Sequence, residues 1–385
     1  MRPLQGITVV SLEHAIAAPF ATRQLADLGA RVIKVERPDT GDFARAYDER
    51  VHGLASHFIW CNRSKESIAL DLKSEEGMEA LRRLVAKADV LVQNLAPGAA
   101  RRIGMDHATL AKSHPGIIVC DISGYGQDGP HRDRKAYDLL IQSESGFLSI
   151  TGTPDEVVKA GCSIADIAAG MYAYTNILAA LIERGRTGKG RHIDVSMLEA
   201  MAEWMGFPLY YAFDGAPQPP RVGAYHATIY PYGPFATADG DVMLAVQNER
   251  EWASFCNLVL GQPALATDPR FTPNSARSAN RAELSETIKA IFGPLAREEV
   301  LARLEAAKIA NASVNDMAGL WAHPQLAARK RWVDIDTPMG SVPALIPPGQ
   351  SSARMDAVPA VGQHTNAILA EIGLMPSNMA AQDGA

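Results

Sequence analysis

Apolar residues fall along the chain in short runs that alternate with stretches of helical spacing. Ile7 to Leu12 (ITVVSL) is a β-type run, Phe20 to Leu28 has helical periodicity, and Arg31 to Val35 (RVIKV) is a second strand. The pattern repeats: Ser74 with Glu75 and Glu76 marks the start of a helix reaching about Lys87, and Asp89 to Val92 is a strand. Asp106 is placed to cap a short helix, and Ile117 to Ile122 (IIVCDI) is the next strand. A long helix follows Gly161 and passes Leu181, then the GRTGKG turn, a strand at Arg191 to Val195 and a helix from Met197. Such alternation predicts a parallel sheet with helices on both faces. The character changes at Asp214 to Pro220 (DGAPQPP), and a mixed segment to about residue 325 carries a hairpin through Ala238, Asp239 and Gly240. The tail returns to a strand-like piece after Trp332, a proline-rich crossing at Ile346 to Gly349, and a last helix over Thr365 to Ile372.

With 385 residues, 47% of them hydrophobic, the chain can bury a large core, which predicts two domains or one with an insertion. A formal net charge of -6 gives no overall basic field, so neither nucleic acid nor an anionic membrane is an expected partner. Cys61, Cys120, Cys162 and Cys256 are far apart and without CxxC spacing, which predicts reduced thiols and no structural metal. The longest apolar segment, 161–183, contains Asp166 and Asn176 and reads as a buried helix, not a membrane span. No signal-length apolar segment precedes Glu13, so the expected location is the cytoplasm.

In a parallel sheet, ligands meet the loops beyond the carboxyl ends of the strands. The first such loop, HAIAAP (residues 14–19), has no glycine, which disfavours close approach of a dinucleotide pyrophosphate. GRTGKG has the wrong spacing for a Walker phosphate loop and reads as a basic turn. Arg37, Lys73, Arg101 and Arg102 recur near these edges, and as a set they suit a long phosphorylated ligand. Asp138, in KAYDLLIQS, stands just before a helical run; it is either an N-cap or a nucleophile toward an activated acyl group.

Several segments together resemble the class III CoA transferases, a family that also includes α-methylacyl-CoA racemases. They are LQGITVVSLEHAIAAPFATRQLADLGARVIKVERPDTGD, NRSKESIALDLKSEEG, ADVLVQNLAPGAARRIG, ISGYGQDGP, KAYDLLIQSESG, the stretch from IADIAAGMYAYTN to HIDVSMLEA, and GQHTNAILAEIGL. The resemblance implies a Rossmann-like large α/β domain whose parallel sheet is made from both chain ends (residues 1–215 and 326–385). It further implies a small central α+β domain (residues 216–325) and an interlocked homodimer. It maps the family nucleophile onto Asp138, acting through an aspartyl anhydride and an aspartyl-CoA thioester, with coenzyme A as the group carried and no metal. By position it maps CoA contacts onto Ala15, Ile16, Ala17, Arg37, Leu70, Lys73, Asn94, Leu95, Arg102 and Tyr125.

Departures from the family pattern narrow the substrate. Ile16 replaces a common glutamine, Ser123 replaces a lysine of oxalate-using relatives, and the glycine-run flap of the formyl-CoA type is missing, so oxalate and formate are not expected. Racemases carry histidine where this chain has Tyr137, and tyrosine is a poor base at neutral pH; Asp166 matches the second racemase carboxylate but equally suits a helix start. The segment from Arg221 to Phe235 resembles members acting on mesaconate, itaconate or citramalate, either from succinyl-CoA or within one molecule. A small C4 or C5 dicarboxylate needs a donor away from Asp138, and His226, Arg45 and Tyr137 are the candidates. A racemase and a non-catalytic CoA-binding protein stand as the alternatives.

Overall fold

The run of Val, Ile and Leu in each predicted strand is what a sheet buried on both faces requires. In the computed structural model, which describes residues 1–374, these five runs and a sixth strand without one form a single six-stranded parallel sheet. In chain order the elements are β1 (Thr8–Leu12), α1 (Ala17–Asp27), β2 (Arg31–Glu36), α2 (Ser56–Asn62), β3 (Lys65–Ala69), α3 (Glu75–Ala86) and β4 (Val90–Gln93). Two short helices, α4 (Ala99–Arg102) and α5 (His107–Leu110), lead to β5 (Ile118–Ser123), α6 (Asp138–Glu144) and α7 (Phe147–Ile150). Then come α8 (Ile164–Thr187), β6 (His192–Ser196) and α9 (Met197–Trp204). The strand order is β3-β2-β1-β4-β5-β6. This is the order of the dinucleotide-binding α/β folds, in which the chain reverses direction across the sheet between β1 and β4.

Residues of α3 and of the C-terminal helix Thr365–Glu371 cover one face, where Leu81, Leu84 and Ile368 close on Val10, Ile33, Leu91 and Val119. On the other, α1 and α8 pack against each other and against the strands. Helix α8 is long and apolar enough to cross a membrane; one side of it, with Ala165, Ala168, Ala169, Ala173, Ile177 and Ala180, is buried in this fold. It runs three residues into GRTGKG and is capped by Gly188 at φ +71°, a left-handed conformation that glycine adopts without strain. Gly190 must also be glycine, since a Cβ there would lie 1.9 Å from the Ile117 carbonyl oxygen.

The chain divides into two units. The first comprises residues 1–145, 160–205 and the chain from Gln325 on; the second comprises residues 146–159 and 206–324. The boundaries therefore differ from those expected at 215 and 325. Gly146, at φ +80°, ends the helical run after Asp138, so 146–159 leaves with the second unit. A second correction concerns the tail: all six strands of the parallel sheet lie between Thr8 and Ser196. The tail instead forms an antiparallel pair of its own, Trp332–Thr337 with Gly340–Leu345, and the C-terminal helix. The second unit holds a three-stranded antiparallel sheet, including the expected hairpin Tyr232–Thr237 with Gly240–Ala245, around a core of Trp252, Phe255, Phe271 and Phe292.

Candidate active site

The β1/β4 reversal puts two loops side by side, residues 13–17 and 94–98, and the structure ties them together. The His14 N–H donates to Asn94 Oδ1 at 3.0 Å, and Asn94 Nδ2 donates back to the His14 carbonyl at 2.9 Å. The Asn94 side chain, expected to contact CoA, therefore positions the first loop. Ala15 stands at φ +60°, a conformation that costs a non-glycine residue about 1–3 kcal/mol unless its surroundings hold it. They do: its N–H donates to Asp42 Oδ1 at 3.2 Å. The N–H of Ala17, at the start of α1, pulls the pKa of the Asp166 carboxyl down.

Asp42 is itself the end of a buried charge network. Its Oδ2 accepts from Lys34 Nζ at 2.8 Å; Lys34 also reaches Glu13 Oε1 at 3.4 Å, and Glu13 Oε1 accepts from Lys65 Nζ at 2.7 Å. All four side chains are fully buried, or within a few percent of it, and two lysines balance two carboxylates. Burial alone would raise the Glu13 carboxyl, but Lys65 and Lys34 outweigh it and leave Glu13 below the usual carboxylate range. Burial likewise opposes the charge on Lys34, and Glu13 and Asp42 outweigh it, so that its pKa is raised. This neutral quartet is the platform under the 13–17 loop.

Asp138 is the first residue of α6, not its cap. Tyr137 occupies the cap position with no side-chain bond, and Asp138 instead has both carboxylate oxygens held by fixed donors. Oδ1 accepts the Ala165 N–H in the first turn of α8 at 2.8 Å, and Oδ2 accepts from Gln142 Nε2, one turn along α6, at 2.6 Å. Gln142 is fully buried and fixed in turn, its Oε1 accepting the Ala160 N–H at 2.9 Å. The positive ends of α6 and α8 both face this carboxylate. The loop after β5 packs tightly behind it: a Cβ on Gly124 would lie 2.1 Å from that of Ala136, two residues before Asp138. Asp166, the third residue of α8, is pushed up to about 7 by burial and by the neighbouring Asp138 carboxylate, against the pull of the Ala17 N–H. Tyr47 completes the cluster, raised to about 12 by burial, Asp42, Asp166 and Tyr137.

The other expected CoA contacts follow successive strand ends: Ile16 and Ala17 after β1, Arg37 after β2, Leu70 and Lys73 after β3, Leu95 after β4, Tyr125 after β5. Parallel strands place them along one edge of the sheet. Arg37, Lys73 and Arg102 are exposed, whereas Ile16, Ala17 and Leu70 are buried. A cavity of about 490 Å³ opens beside Arg101 and Arg102, lined also by Gln93, Asp121, His107 and His192; Asp138 is not part of its wall. Asp121 accepts from Gln93 at 2.7 Å and pairs with His192 Nε2 at 2.8 Å, which raises the pKa of His192. Gln93 Oε1 takes the Leu95 N–H at 2.7 Å, so this chain of bonds also sets the second loop.

The substrate contacts fare differently. Arg45 is engaged within the fold: it forms a two-pronged pair with Glu36 at 2.9 and 2.8 Å, donates to the Pro359 carbonyl, and lies 3.7 Å over the Phe58 ring. These contacts hold the Arg45 side chain that was expected to meet a substrate carboxylate. His226 belongs to the second unit, where Nδ1 accepts the Thr228 and Ile229 N–H groups at 3.2 and 3.0 Å and the ring stacks on Tyr232. Two donors on Nδ1 leave Nε2 as the ring's donor. Burial, then Arg281, lowers its pKa, which favours the neutral ring. Tyr137 is exposed. Sequence reasoning missed the roles of Gln142, Asp42 and the buried lysines; only Gln142, four residues after Asp138 on one helix, left a spacing signal.

Strand order, loop placement and the anchored aspartate define an α/β protein built to hold a ligand across the β1/β4 crevice. Residues 4–365 match CoA-transferase family III. The chain is 38% identical over 384 residues to the succinate–glutarate CoA-transferase of Agrobacterium fabrum, covering 96% of each chain. It is 33% identical over 351 residues to the succinyl-CoA:mesaconate CoA-transferase of Haloarcula hispanica, covering 88% of this chain and 87% of that one. A CAIB/BAIF family protein from Brucella suis has a crystal structure that superposes with a TM-score of 0.84 at 37% identity, covering 96% of this chain and 99% of that one. The chain belongs to CoA-transferase family III and is a class III CoA-transferase.

Proposed function

We propose that the protein moves CoA from succinyl-CoA to a second small dicarboxylate, with Asp138 as the covalent relay. One Asp138 oxygen attacks the thioester carbonyl, the C–S bond breaks, and CoA leaves as thiolate from a mixed anhydride. The thiolate then attacks the Asp138 carbonyl, releasing the donor acid and leaving an aspartyl-CoA thioester. The acceptor carboxylate attacks that thioester, and the returning thiolate takes the new acyl group while Asp138 regains its carboxylate. Every step exchanges one activated acyl link for another, so no external energy source enters.

The observation that carries this reading is the anchoring of Asp138 by the Ala165 N–H and Gln142, which fixes a carboxylate nucleophile beside the CoA loops. Tyr137 in the preceding position supports acyl transfer over proton abstraction. Among acceptors, glutarate stands ahead of mesaconate, itaconate and citramalate, because the relative named for succinate and glutarate is 38% identical and the one named for mesaconate 33%. CoA lies along the edge marked by Ala15 to Ala17, Arg37, Lys73, Leu95, Arg102 and Tyr125, with the basic side chains on its phosphates. The active form is an interlocked homodimer, a reading supported by Leu139 and Leu140, which are exposed beside Asp138.

A matrix of CoA donors against free acids, read by mass spectrometry, tests this. Exchange from succinyl-CoA to glutarate or to a C5 branched dicarboxylate is expected. If no donor and acid pair exchanges, and mesaconyl-CoA shows no transfer between its own carboxylates, the proposal fails.

A further inference from the structure

Parallel strands buried on both faces carry apolar side chains, and β4 and β5 depart from that rule at one rung. Gln93 and Asp121 are partners across the ladder, only 3% and 6% exposed. Polar groups this deep destabilise a sheet unless they are bonded, and these are. Gln93 Oε1 accepts the Leu95 N–H at 2.7 Å, Gln93 Nε2 donates to Asp121 Oδ1 at 2.7 Å, and Asp121 Oδ2 meets His192 Nε2 at 2.8 Å. The direction of this chain is set at its inner end. A backbone N–H can only donate, so the Gln93 oxygen must face Leu95 and its amide nitrogen must face β5, where only an acceptor fits. An ionised Asp121 offers nothing but acceptors, and His192 gives its second oxygen a donor. One residue further on, Asn94 ties the 94–98 loop to the 13–17 loop through His14. Gln93 thus fastens both loops to the neighbouring strand, and Gly98, at the end of the second loop, begins the helix that carries Arg102.

Resting on the proposed placing of CoA along this edge, we propose that Gln93 and Asp121 are a matched pair of positioning residues, whose donor and acceptor hold the Leu95 backbone, and with it the 94–98 loop, where CoA binds. Both open onto the cavity beside Arg101 and Arg102, and Asp138 is not part of its wall, so they act on CoA affinity and not on the reacting atoms. The match can be reversed in direction. Gln93→Glu keeps an acceptor for Leu95 but turns a second acceptor on Asp121, so that two carboxylates meet across one rung. Adding Asp121→Asn restores the donor: the new amide nitrogen donates to the new carboxylate, the amide oxygen accepts from His192, and the pair keeps its single negative charge.

The test is calorimetric titration of free CoA into wild type, Gln93→Glu, Asp121→Asn and the double variant, with amide hydrogen exchange followed in the peptide containing Leu95. Gln93→Glu should raise Kd for CoA about tenfold or more and speed exchange at Leu95, as a buried acceptor left facing another implies. Asp121→Asn should stay within about threefold, since its amide can turn its oxygen to Gln93 and its nitrogen to a neutral His192 ring. The double variant should return to within about threefold of wild type in both measurements. In turnover the loss in Gln93→Glu should fall on KM for acyl-CoA, with kcat within about threefold. Should Gln93→Glu not fold, Gln93→Met removes the same bonds without a buried charge and should also raise Kd, by about fivefold or more. Wild-type Kd in the single variant that folds, a double variant that binds no tighter than Gln93→Glu, or lost Leu95 protection with CoA affinity unchanged would each overturn the assignment. Free CoA as the probe separates this from the transferase chemistry: restored affinity in the double variant supports the pair even if no donor and acid exchange.

Discussion

Replacing Asp42 by alanine tests the platform beneath the 13–17 loop. The change removes one charge from a buried, neutral quartet and leaves Lys34 with Glu13 at 3.4 Å, a carboxylate that Lys65 already holds at 2.7 Å. Breaking a buried pair from one side costs about 3–5 kcal/mol, most of it the uncompensated charge. The Ala15 and Ala44 N–H groups lose their acceptor as well, and Ala15 keeps its φ of +60° with nothing to hold it. Urea unfolding should therefore show a loss of about 3–5 kcal/mol, with a raised KM for acyl-CoA in the fraction that folds. The double variant Asp42→Ala with Lys34→Met separates the two effects. Removing the stranded cation should restore most of the stability, because apolar replacement of a buried pair is near neutral. KM should stay raised, because Ala15 still lacks its acceptor. A loss below about 1 kcal/mol in the single variant, or a double variant no more stable than the single, would refute the reasoning.

Further outcomes follow from the same geometry. Gly124→Ala places a methyl 2.1 Å from the Ala136 side chain and should displace the segment leading to Asp138, lowering kcat at least tenfold with the fold intact by circular dichroism. Gln142→Ala leaves Asp138 Oδ2 without its donor and should lower kcat more than it raises KM in steady-state kinetics. Arg45→Met should weaken the fold by about 3–5 kcal/mol in urea, by stranding the buried Glu36 carboxylate, and leave KM for the acceptor acid within twofold. Raised by its bond to Asp121, His192 contributes stability that is full below the ordinary histidine pKa and is lost as pH rises through its own higher value. As the ring is partly exposed, the effect should stay below about 1 kcal/mol, and NMR titration should place His192 above free histidine.

Most of the sheet was legible because parallel strands buried on both faces are written as unbroken apolar runs. Strand β3, Lys65–Ala69, was not, since its sequence KESIA hides Lys65 in the charge network and alternates only weakly. Lys34 shows the same difficulty from the other side. In RVIKV it reads as the polar position of a strand, yet it is fully buried, because Glu13 from the preceding strand end and Asp42 from the following loop compensate the charge. Asp138 was legible as a choice between cap and nucleophile, and the structure replaces the first option with something more specific, a carboxylate held from two helices. The partners of Arg45 were not legible, because Glu36 and Phe58 come against it only in the fold. The tail was expected to share in the sheet, and its strand-forming sequence pairs with itself instead.

The covalent state of Asp138 during turnover is the most direct measurement of the central claim. Enzyme mixed with succinyl-CoA and quenched with hydroxylamine should yield a peptide containing Asp138 in which that residue carries a hydroxamate, and Asp138→Ala should neither label nor exchange CoA. An unlabelled Asp138 peptide from enzyme that is exchanging CoA, or undiminished exchange in Asp138→Ala, would contradict it.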